Sequence, residues 1–91
     1  MVNVEFMDYS GLPEGLQDGM ERYVKHGIMP GDFLTAVLSN DLRGSFMRAD
    51  NSNRSSMFEI VSWCWNELPW GAWGTHGTVL EWVIEQREGD K

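Results

Sequence analysis

Apolar positions recur at helical spacing in four stretches of the chain. Over Leu12 to His26, the residues Leu16, Met20, Tyr23 and Val24 stand at i, i+4, i+7 and i+8, which is the stripe an amphipathic helix turns toward a core. Pro13 suits a first helical position, and Glu14 and Asp18 sit near the positive end of the dipole. Gly27 is placed to end this helix as a left-handed cap, with Ile28 folding back onto it. Gly15 and Gly19 weaken the helix by roughly 1 kcal/mol each relative to Ala, which calls for close packing there or a frayed helix.

A second helix is expected from Gly31 or Asp32 to about Ala49, with Phe33, Leu34, Val37, Leu38, Leu42 and Phe46 inward. Asn40-Asp41 and Gly44 interrupt it, marking a kink or a tight helix crossing. The segment from Asp50 to Ser56 reads as a loop rich in capping residues. Met57, Ile60, Val61, Cys64 and Leu68 then form the stripe of a third helix, which Pro69 ends. After an aromatic turn from Pro69 to Gly74, Thr75 caps a short last helix through about Arg87, with Val79, Leu80, Val83 and Ile84 inside. Strand-like alternation is confined to a weak run, Val2-Asn3-Val4-Glu5-Phe6. The pattern predicts an all-α fold of three main helices plus a short C-terminal one. It forms one domain over residues 1–91, with an N-terminal extension over 1–11.

Composition narrows the function more than the fold. Five Trp, four Phe and two Tyr give the chain enough apolar area to fold, but 91 residues is a small size for one core, so self-association is expected. Fourteen acids against seven Lys and Arg leave a net charge of −7 and argue against duplex DNA or RNA as a partner. A local cationic pocket for a small anion is still compatible with that surface. Nothing approaches a membrane-spanning apolar run, and Met1 to Glu5 lacks the basic start of a signal peptide, so a soluble, unprocessed protein is expected.

Candidate chemistry is sparse. Cys64 is the lone cysteine, fits a reducing compartment and lies in an apolar stripe, so it reads as a buried thiol. His26 and His76 show no metal-binding spacing, Glu81 and Glu85 read as a solvated face, and the glycines form no phosphate-binding loop. No metal, cofactor or catalytic group is expected. Trp63 and Trp65 are two apart on a helix, so only one of them can share the core stripe.

The cations Arg22, Lys25 and His26 gather at the end of the first helix, at i, i+3 and i+4. There they either complement the helix dipole or begin an anion site. Asp32, at the next helix start, disfavours a phosphate there. Tyr9, just before the first helix, offers either a ring for stacking on a nucleobase or a lid on the core.

Three runs carry a further signal: Asp8-Tyr9-Ser10-Gly11-Leu12-Pro13, the segment from Tyr23 through Gly27-Ile28-Met29-Pro30-Gly31-Asp32-Phe33-Leu34 to Asn40-Asp41-Leu42, and Arg48-Ala49-Asp50 before the Trp-rich helix. Together they resemble the anti-CBASS cyclic-oligonucleotide sponges of tailed phages. The resemblance implies a small helical protein that forms hexamers in the cytoplasm of the infected bacterial host. There it would bind cyclic dinucleotides between protomers without cleaving them, keeping a defence effector inactive. On that resemblance Tyr9 stacks on a base and Lys25 lies near the ligand; Arg22 and His26, from the cation cluster around Lys25, are candidates for secondary contacts. Some members take up cyclic trinucleotides in a separate pocket, for which Arg48 and Arg54 are the candidates. The charge of −7 alone supports a different reading, an acidic mimic of nucleic acid that inhibits a host defence protein.

Overall fold

A computed structural model describes Val4 and residues 7–89, which form helices and turns with no strand among them. The weak alternation at 2–6 therefore lies outside the described residues, apart from Val4. The elements run α1 (Glu14–His26), α2 (Asp32–Leu38), α3 (Leu42–Arg48), α4 (Asn51–Ser55), α5 (Met57–Glu67), a 3-10 turn (Trp70–Ala72) and α6 (His76–Gly89). No helix among the described residues is long and apolar enough to cross a membrane.

The expected second helix is two helices. Asn40 adopts a left-handed φ of 61°, a conformation Asn tolerates better than most residues, and this breaks the helix after Leu38. Asp41 then restarts it as an N-cap, its carboxylate accepting from the Gly44 N–H at 2.9 Å. Gly44 has no room for a side chain because that carboxylate occupies the space. The new helix axis turns Leu42 and Phe46 outward, where they are 69% and 44% exposed rather than in the core.

Three further expectations change. Asp50 to Ser56 is not a loop: Asp50 caps the short α4 by accepting from the Asn53 N–H at 2.7 Å. The outer members of two stripes, Val61 on α5 and Leu80 and Ile84 on α6, are exposed, so each stripe is narrower than its sequence pattern. Gly15 and Gly19 lie in an unbroken helix with no side chain of this chain crowding Gly15, so neither fraying nor close internal packing accounts for them.

Tyr23 is the largest fully buried side chain of the core. Its ring is out of reach of water, its phenol donates to the Ala72 carbonyl, and its own carbonyl accepts from Trp82 Nε1 at 3.3 Å. The same core cluster holds Met20 and Val24 of α1, Leu38 of α2, Ile60 and Cys64 of α5, and Val79 of α6. Gly27 closes α1 as expected, at φ 65°, and its carbonyl accepts from Arg87 Nε at 3.1 Å. A Cβ on Gly27 would stand 2.5 Å from the Val83 carbonyl oxygen, so α1 and α6 meet with backbone against backbone.

Two predictions follow from this packing. Gly27→Ala combines left-handed strain with that collision and should destabilise by roughly 2–4 kcal/mol, read as a lower urea midpoint with helicity retained. Burial pushes the Cys64 thiol from 9.0 up to about 12, so the unfolded chain loses this proton first as pH rises. Stability from this group is complete below about pH 9 and declines toward pH 12. Cys64→Ala should flatten the decline between pH 9 and 10 in denaturation series, a window below the ordinary phenol range.

Candidate functional site

Tyr9 is held by its neighbours before the first helix begins. Hydrogen bonds from Ser10, first from its side chain and then from its N–H, lower the pKa of the Asp8 carboxylate, and the Asp8 carbonyl accepts from Trp63 Nε1 at 2.8 Å. Tyr9 stacks on Trp63 with ring centroids 5.4 Å apart and planes inclined by 29°. The ring is half-buried against the core, with part of it still open to solvent. Its buried hydroxyl has no hydrogen-bond partner among the described residues. Burial, and then the charge of Glu21, push its phenol up to about 12.

Glu21 also pairs with Lys25, at 2.7 Å along α1. The charge of Glu21 thus acts on both Tyr9 and Lys25. His26 is exposed in the last turn of α1, where a cation complements the dipole.

Arg22 and Arg48 come together elsewhere. They line a groove of about 640 Å³ between α1, the start of α2 and the end of α3, joined by Asn53 of α4. Asp18 and Asp32 face the same groove, so its guanidiniums are opposed by two carboxylates, and Leu16, Met29, Phe33 and Leu34 supply an apolar floor. Gly15 and Gly19 open onto it, which gives these two glycines a place in the fold that core packing did not. This volume suits a ligand of drug-like size. Arg54 does not line the groove; its Nε makes a long contact, 3.4 Å, to the Phe46 carbonyl.

A second cavity of about 470 Å³ is walled by Trp65, Trp70 and Trp73, with Asn40 and Val61 at its edge. Trp65 and Trp73 meet edge to face with centroids 6.4 Å apart. Sequence spacing separates buried Trp63 from exposed Trp65 but does not foretell that Trp70 and Trp73 converge on the same hollow. Asn53 was missed because α4 is too short to carry a periodic signal; the Asp50 cap was the only local sign of a helix.

Compared with known protein families, curated proteins and solved structures, the chain has no match. The geometry therefore carries the functional argument together with the sequence resemblance.

The unpaired Tyr9 hydroxyl makes a prediction of its own. Tyr9→Phe should leave stability unchanged or raise it by up to about 1 kcal/mol in urea denaturation, since no hydrogen bond is lost and a desolvated polar atom is removed. Tyr9→Ala should cost roughly 2–4 kcal/mol through the lost stack on Trp63.

Proposed function

We propose that this protein is a phage anti-defence protein that binds cyclic dinucleotides and sequesters them without cleavage, acting in the cytoplasm of the infected bacterial host. What supports the reading is the sponge resemblance, which assigns Tyr9 to base stacking and Lys25 to ligand contact, together with Glu21, which pairs with Lys25 and whose charge also acts on the Tyr9 phenol. A stacking ring together with an ammonium group suits a ligand that combines bases with a phosphodiester ring. Lys25 is held by Glu21 until an anion competes for it. The groove with Arg22, Arg48 and Asn53 is the place this reading gives to a second, cyclic trinucleotide ligand.

Stoichiometric sequestration needs tight binding. A Kd near 1 nM corresponds to about −12 kcal/mol, more than one tyrosine and one lysine supply, so a pocket shared between protomers of a homo-oligomer, a hexamer on the resemblance, belongs to the proposal.

Calorimetry against a panel of cyclic dinucleotides tests it. Binding at micromolar protein or below is expected, with intact nucleotide recovered after proteolysis of the complex. Tyr9→Ala and Lys25→Ala should each weaken affinity roughly ten- to hundredfold. Absence of binding across the panel would overturn the reading, and recovery of cleaved nucleotide would replace sequestration with hydrolysis.

A further inference from the structure

The outer face of α5 is apolar where an isolated helical domain would be polar. Phe58, Val61 and Trp65 stand at i, i+3 and i+7 and so form one stripe on that helix. Phe58 is 81% exposed and Trp65 75%, and Trp70, just past the helix, is 94% exposed. Aromatic side chains of this size offer roughly 150–250 Å² each, so three of them present close to half or more of the roughly 800 Å² that each partner contributes to a stable interface.

The stripe is also complementary to itself. Phe58 projects two helical turns, roughly 10 Å, from Trp65, and Trp65 borders the hollow that Trp70 and Trp73 complete. Between the two rings lie the smaller Val61 and Ser62, which let two helices approach closely. Each chain therefore carries two large exposed rings, Phe58 and Trp65, at equal distances along α5 from one midpoint.

We infer that this face is covered by a second copy of the chain, with α5 packed antiparallel on the partner's α5 about a twofold axis near Val61 and Ser62. Such an axis sets Phe58 beside the partner's Trp65 and repeats the contact symmetrically, as an isologous interface requires. In this register position 59 falls opposite position 64 and position 67 opposite position 56. Glu59 and Glu67 are not brought opposite each other. The inference gives the proposed oligomer a defined interface and rests on that reading only for self-association; the stripe owes nothing to a nucleotide.

Cross-linking and native mass measurement of the full chain test it. Under mild oxidant, most of Val61→Cys should run as a disulfide-linked dimer, whereas wild type should not, since Cys64 is fully buried. Phe58→Asp should reduce the native assembly mass while leaving helicity by circular dichroism unchanged. A monomeric wild type at micromolar concentration, or Val61→Cys cross-linking no more than an exposed Glu85→Cys control on α6, would overturn the inference. Calorimetry on the same samples keeps the two proposals apart: cross-linking without nucleotide binding supports this one and sinks the earlier reading, and nucleotide binding by a chain that does not cross-link does the reverse.

Discussion

The fold depends on one buried phenol. Tyr23 is completely excluded from water, so its hydroxyl must find an acceptor inside the protein, and it finds the Ala72 carbonyl, 49 residues away in the chain. That bond fixes the 3-10 turn over the middle of the molecule, and the Tyr23 carbonyl fixes α6 from the other side through Trp82. The neighbouring joints are closed in the same manner. The Leu38 carbonyl accepts from the Gly74 N–H and the Gly27 carbonyl from Arg87, so carbonyls at the ends of α1 and α2 are satisfied by partners far along the chain. Where Trp65, Trp70 and Trp73 come together is a consequence of where Tyr23 holds Ala72.

Most of the architecture was legible in sequence, and the exceptions have a common cause. α1, α5 and α6 are long enough for periodicity to speak, and their stops at Gly27 and Pro69 and start at Thr75 carry recognisable chemistry; Thr75 Oγ1 does accept from the Thr78 N–H. α2, α3 and α4 have seven, seven and five residues, too short for a stripe to be told from chance. The expected single helix to Ala49 kept its inward register across Asn40, and the left-handed turn there rotated Leu42 and Phe46 out of it. The outer edges of the stripes on α5 and α6 failed differently: Val61, Leu80 and Ile84 are apolar, but one thin core has no partner for them.

Of the candidate site, spacing alone showed that Arg22, Lys25 and His26 share one end of α1, but not that Lys25 pairs with Glu21 while Arg22 turns toward Arg48. The first depends on a neighbour along the helix and was open to inspection. The second depends on the break at Asn40, which sets the direction of α3 and hence the place of Arg48. A net charge of −7 is compatible with both arrangements, since a local field is set by the few groups nearest a ligand and distant acids are screened within roughly 8–10 Å.

The indole N–H of Trp63 and its ring are the anchors for the chain before α1, bonding Asp8 and stacking on Tyr9 across more than fifty residues. Contacts of such separation close a large loop, whose entropy cost they must offset. The segment bearing Tyr9 therefore depends for its seat on α5. Among the described residues Tyr9 is the aromatic nearest the start of the chain, yet the ring that seats it belongs to α5, so its position reports the state of a helix more than fifty residues away.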